Sequence, residues 1–189
     1  MEMGLVGRCV SLMLVVSLAA CDEPTSDAEV HTLAGKLDAD TYVALVADDR
    51  DVVLYVCDGD ADSVAVTAWF TGAHADGSFD LTSEQTAGRA VGTLSADGAE
   101  GSVTLGGQAL SFTAEPAAGP AGLYFDQTTD ADATTFWGGW IVQADGGVRG
   151  SVLNRKTNSI VAAGNATPNA ALTVLGLQFK VTRLTRPRL

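Results

Sequence analysis

From Thr41 onward the chain alternates apolar and polar residues with a period of two, the spacing that sends successive side chains to opposite faces of a strand. Phe79 and Leu81 alternate with Asp80 and Thr82, and Leu110, Phe112 and Ala114 with Ser111, Thr113 and Glu115. Near the C-terminus Leu175, Leu177, Phe179 and Val181 point one way and Gly176, Gln178, Lys180 and Thr182 the other. Residues Val52 to Cys57 are apolar on both faces, which predicts a strand covered on both sides, by the N-terminal tether or by the C-terminal segment. Runs of this kind predict about ten strands, near 42–47, 51–57, 63–71, 78–83, 89–95, 101–106, 109–115, 121–126, 134–143, 148–153 and a long 171–183.

Turn chemistry falls between these runs. Ala-Asp-Gly recurs at Ala75-Asp76-Gly77, Ala96-Asp97-Gly98 and Ala144-Asp145-Gly146, with Asp58-Gly59 and Gly106-Gly107 as further tight turns; each supplies residues that tolerate positive φ. Successive hairpins without a helical crossover make an all-β antiparallel meander. Closure removes exposed edges, so the expected architecture is a small closed or partly closed β-barrel over residues 41–185, with a short tail at 186–189.

The first forty residues read differently. An n-region ending at Arg8 precedes an apolar run from Cys9 to Ala20, about 18 Å as a helix against the roughly 30 Å of a bilayer's hydrocarbon core. That is the length of a signal peptide's apolar region. Leu18-Ala19-Ala20-Cys21 closes it and resembles the lipobox of bacterial lipoproteins. The resemblance implies a signal peptide at 1–20, cleavage between Ala20 and Cys21, and acyl chains on Cys21 that hold the mature chain to a membrane of the cell envelope, facing periplasm or exterior. Residues 21–40 lack sustained periodicity and are expected to be the lipidated N-terminus and a flexible tether, with room for a helical turn between Glu29 and Leu37.

The 189 residues carry a formal net charge of -12, which repels nucleic acid and excludes it as an expected partner. Charge is unevenly placed: acidic residues crowd Asp22 to Asp62, whereas Arg149, Arg155, Lys156, Lys180, Arg183, Arg186 and Arg188 lie late. This is the pattern of a basic C-terminal strand beside acidic turns, or of a basic tail that meets an anionic envelope partner. Cys9 lies in the leader and Cys21 is the lipid site, so Cys57 is left as a lone thiol, expected to be buried.

Little of the sequence points to catalysis. His31 falls in the tether and His74 beside an Asp-Gly turn, so neither a Ser-His-Asp or Cys-His centre nor a zinc site is expected. Asp58-Gly59-Asp60-Ala61-Asp62 opens like a calcium loop, but Ser63 replaces the glycine at the sixth position and Trp69 the glutamate at the twelfth. No cofactor and no metal are therefore expected. The aromatic residues carry more information. Trp69, Trp137 and Trp140 fall in strands, and with Tyr124 they are candidate ligand-facing positions; on strict alternation Trp140 shares a face with Phe136, while Trp137 faces opposite with Ile141.

The strings Tyr55-Val56-Cys57-Asp58-Gly59, Trp69-Phe70-Thr71-Gly72, Gly122-Leu123-Tyr124 and Gly138-Gly139-Trp140-Ile141-Val142 resemble a β-rich domain in uncharacterised secreted proteins of high-GC bacteria. The first string and the Gly-Leu-Tyr are also similar to small lipid-anchored barrels that inhibit lysozyme, although the disulfide and Ser-Gly loop of those barrels have no counterpart here. The expected function is a non-enzymatic, lipid-anchored barrel that binds a small ligand or an envelope protein. Inhibition of an envelope hydrolase such as lysozyme is the alternative.

Overall fold

The computed structural model describes residues 29–189. The expected signal peptide, the expected cleavage point at Ala20 and the expected lipid site at Cys21 lie outside the described residues. The chain from residue 29 is all-β. Eight strands close into a meandering antiparallel barrel: β1 (His31–Lys36), β2 (Tyr42–Ala47), β3 (Asp51–Cys57), β4 (Thr67–Ala75), β5 (Ser78–Thr82), β6 (Arg89–Ser95), β7 (Gly98–Leu105) and β8 (Gln108–Pro116). Each pairs with its sequence neighbour, and β1 pairs with β8 to close the ring.

A second sheet follows, from β9 (Gly122–Thr129), β10 (Thr135–Val142), β11 (Val148–Asn154), β12 (Ile160–Ala162) and the two-residue β15 (Thr182–Arg183), in the order β12-β11-β10-β9-β15. Between β12 and β15 a hairpin of β13 (Ala171–Val174) and β14 (Leu177–Lys180) forms a two-stranded sheet of its own, with no ladder to either of the others.

Three apolar clusters lie between these layers. Sixteen buried residues, among them Leu45, Leu54, Phe70, Phe79 and Phe112, fill the barrel. Small side chains at Ala47, Ala68, Ala90, Ala99 and Ala114 keep the barrel narrow, so its interior is packed and not hollow. The second cluster joins the outer face of β2 and β3 to the second sheet through Tyr42, Ala44, Val46, Val53, Tyr55, Cys57, Trp69, Leu123, Ile141 and Leu153. The third lies on the far side of that sheet, where Phe136, Trp140, Val142 and Val152 meet Val174, Phe179 and Val181.

This layering explains the two-faced strand. Val52, Leu54 and Val56 point into the barrel and Val53, Tyr55 and Cys57 out of it, and all six are buried. The cover expected from the tether or C-terminal segment comes chiefly from β9, β10 and β11; the C-terminal segment contributes only at Leu184 and Leu189.

Three expectations need correction. Part of the expected flexible tether, His31–Lys36, is β1, neither flexible nor helical: Leu33 is buried in the barrel and the strand pairs on both sides. The run expected at 63–71 is displaced toward the C-terminus without a change of length, as β4, because Asp58 and Asp60 hold the preceding residues in turns. Asp58 Oδ1 accepts from the backbone N–H groups of Ala65 and Val66, and Asp60 Oδ1 from those of Asp62 and Ser63. The long strand 171–183 is a hairpin followed by β15. Leu175 and Gly176 both adopt positive φ, 54° and 77°, and form a two-residue turn across which the inward positions pass from Leu172 and Val174 to Leu177 and Phe179. Leu175, expected on the buried face, is 62% exposed at the tip.

Candidate functional site

Where β10 crosses the outer wall of the barrel, the glycines of Gly138-Gly139-Trp140 decide what fits. A Cβ on Gly139 would lie 2.4 Å from the Trp69 ring and 2.7 Å from that of Tyr55, so the missing side chain lets two barrel aromatics lie against the sheet. On the other face, a Cβ on Gly138 would lie 2.2 Å from the Trp140 ring. So would one on Gly150, the residue that Trp140 faces on β11. Trp140 therefore lies flat across two glycines. It is fully buried, donates from Nε1 to the Ala163 carbonyl at 3.0 Å and meets Phe179 edge-on.

The alternation expected for this stretch holds: Trp140 shares a cluster with Phe136, and Trp137 packs with Ile141 on the barrel side. Of the four aromatic positions proposed to face a ligand, Trp140 and Tyr124 are core residues, 0% and 1% exposed, and the Tyr124 hydroxyl donates to the Pro120 carbonyl at 2.7 Å. Trp69 is 3% exposed and stacks on Tyr55 with ring centroids 4.0 Å apart. Only Trp137 is half-buried. With Phe125 and Trp69 it forms an edge-to-face aromatic triangle at the seam between barrel and sheet. Arg155 covers the outer ring face of Trp137, 3.8 Å from its centroid, and reaches toward Glu84 at 3.9 Å.

Beneath the triangle lies a polar knot that no sequence motif announces. Tyr55 OH, Thr67 Oγ1 and Ser151 Oγ sit 2.8–2.9 Å from one another in a closed ring, drawn from β3, β4 and β11. Each hydroxyl can donate to one neighbour and accept from the other, so three buried polar groups satisfy one another across the joint between barrel and sheet. Burial pushes the Tyr55 phenol well above its ordinary value. Burial also raises the Cys57 thiol, whose Sγ accepts the Gly59 N–H at 3.2 Å. The thiolate is the reactive form, so this cysteine is inert by both access and protonation. In a chain carrying serine at positions 9 and 21, a thiol reagent should react slowly with the native protein and then titrate one equivalent after denaturation. Rapid native reaction would show that β3 is not covered.

Other candidate groups have structural work. His74 is half-buried and pins the β2–β3 turn, its Nε2–H donating to the Asp48 carbonyl at 2.8 Å and its backbone N–H to that of Arg50 at 2.8 Å. It shares a cleft of about 280 Å³ at one barrel end with His31, Asp48 and Asp49. No metal-binding group of three or more His, Cys, Asp or Glu side chains occurs among the described residues. Asp38, Asp48 and Asp60 are all held below the ordinary carboxylate value, chiefly by backbone N–H groups of the turns they cap. Several late basic residues are also engaged within the fold. Arg149 donates to the Asp40 carbonyl, and Arg183 to the carbonyls of Gly119 and Ala117.

No family model, curated protein or solved structure matches this chain.

What remains accessible around the aromatic triangle is one side of β4. Beyond the pairs His74–Phe79 and Ala75–Ser78, β4 has no ladder partner on β5, and Thr71, Gly72 and Ala73 are exposed. The Trp69 N–H on that side is taken by the side-chain oxygen of Gln85, at 3.2 Å. Trp69 and Trp137 were legible as candidates. Tyr55, Thr67, Ser151, Arg155 and Gln85 were not, because they converge from positions up to 100 residues apart.

Proposed function

We propose that this chain is a lipid-anchored protein of the bacterial cell envelope that acts by binding a partner protein through its outer surface, without catalysis. The packed barrel carries this reading. Sixteen buried apolar residues occupy the interior, the place where a β-barrel would otherwise hold a small ligand. The hydroxyl and thiol groups that the fold gathers at Tyr55, Thr67, Ser151 and Cys57 are buried and committed to one another or to backbone. Accessible chemistry is thereby shifted to the wall, at the half-buried Trp137 and the exposed stretch of β4. The anchor rests on Leu18-Ala19-Ala20-Cys21 at the end of an apolar run too short to span a bilayer.

Native mass spectrometry of the protein purified from its own membranes tests both halves. The expected species begins at Cys21, carries acyl chains there, and holds no small molecule that denaturation releases. An unmodified N-terminus at another residue would overturn the anchor. A small molecule bound in the native state and lost on unfolding would overturn the surface-binding reading.

A further inference from the structure

The geometry points to the free side of β4, from Trp69 to Ala73, as an acceptor for an extended segment of a partner protein, which would add a strand there. The inference rests on reading the chain as a protein-binding module and is independent of the lipid anchor. On its other side β4 is fully paired with β3, from Asp51–Ala73 to Cys57–Thr67. Toward β5 the ladder stops after His74–Phe79, although β5 itself stays paired with β6 through Thr82–Arg89. The barrel wall therefore splays at this one join. His74 donates toward β3, to the Arg50 carbonyl, so by alternation the polar groups of Gly72 face Val52 on β3 and those of Trp69 and Thr71 face the open side, where Thr71 is exposed. Backbone N–H and C=O groups left without a ladder are the template to which another strand adds.

Gln85 supplies the second observation. Its amide oxygen, carried on the loop between β5 and β6, accepts the Trp69 N–H at 3.2 Å, the position that an incoming strand's carbonyl would occupy. A side chain standing in for a strand can be displaced by one, because the exchange replaces one hydrogen bond with another and adds those at Thr71. The edges of the second sheet offer less. β12 and β15 bound the second sheet with three and two residues, and such short edges are blunted against pairing.

Charge selects the occupant. Glu84, beside Gln85, has a side chain 88% exposed, and the whole chain carries a net charge of -12, so the favoured segment bears basic side chains on its outward face. On its inward face it carries small or aliphatic residues, since Leu81 stands within 2.9 Å of where a Cβ on Gly72 would lie.

The test uses the mature full chain in detergent micelles. Its probe is an acetylated, amidated peptide of alternating valine and lysine, compared with the same sequence N-methylated at every residue, which leaves neither edge of its backbone able to pair. Hydrogen exchange at the Trp69 and Thr71 amides should slow by about fivefold or more with the first peptide and remain unchanged with the second. Gln85→Ala should speed exchange at Trp69 in the free protein and strengthen binding of the unmethylated peptide. Absence of protection at millimolar peptide, protection confined to another edge, or equal protection by the N-methylated peptide would overturn the proposal.

Discussion

Replacing Trp140 with alanine should destabilise the protein by about 3–5 kcal/mol, the cost of emptying a fully buried indole site whose walls relax only in part. The walls here have little freedom. Gly138 and Gly150 are the floor beneath the ring, and neither has a side chain that could swing into the void. Phe179, packed edge-on, lies on the β13–β14 hairpin, which pairs with no other strand and depends on this contact and its neighbours to stay on the sheet. The Ala163 carbonyl, which accepts the indole N–H, would lose its donor as well. A loss of this size corresponds to roughly 6–20 °C in the thermal midpoint of a chain this long. Trp140→Phe should cost less, since it keeps much of the ring and gives up the hydrogen bond. The measurement is thermal unfolding of both variants with coincident probes of sheet content and tertiary packing. A midpoint within a degree or two of the parent for Trp140→Ala would mean that the far face of the second sheet is not a core.

The same residues show where sequence reading stops. Gly138-Gly139-Trp140 announces close approach, and strict alternation places Trp140 and Trp137 on opposite faces, as observed. Alternation cannot say which face is the more deeply covered, because both are apolar. The covering elements, β3 and β4 on one side and β13 and β14 on the other, lie far away along the chain. Strands β2, β3 and β6 were legible to the residue at 42–47, 51–57 and 89–95, because each is a strong apolar run between turn residues. The hairpin at 171–180 was not, because Leu175 extends the odd-numbered apolar series of Leu177, Phe179 and Val181 back into the turn, which masks the shift from the even-numbered Leu172 and Val174, and it occupies a position where asparagine, aspartate or glycine would have signalled the reversal. The hydroxyl knot was hidden for a related reason. Tyr55, Thr67 and Ser151 are unremarkable in their own strands and become a unit only when β11 is laid across β3 and β4.

Strand β1 is the largest departure from the sequence pattern and leads to the sharpest test of the closed barrel. His31–Lys36 has a single fully buried residue, Leu33, among half-buried neighbours, so its periodicity is too weak to be read as a strand. What makes it one is pairing on both sides, with β2 from His31–Ala47 to Lys36–Tyr42 and with β8 from Leu33–Pro116 to Lys36–Thr113. Gly35 marks the closest approach: a Cβ there would lie 2.0 Å from the Thr113 carbonyl oxygen and 2.9 Å from the Ala114 Cα. Both atoms are backbone, so no side-chain rotation relieves the overlap. Gly35→Val should therefore force β1 and β8 apart at a cost of about 3 kcal/mol, at the upper end for overpacking. Deleting residues 1–37 should do more, since it removes Leu33 from the barrel and leaves the edges of β2 and β8 open to pairing between molecules. The expected outcome is a chain from Asp38 that aggregates or unfolds without a cooperative transition, beside a chain from residue 29 that keeps the parent's midpoint. Equal thermal midpoints for the two truncations would show that the barrel does not need its first strand, and that residues 31–36 are a tether after all.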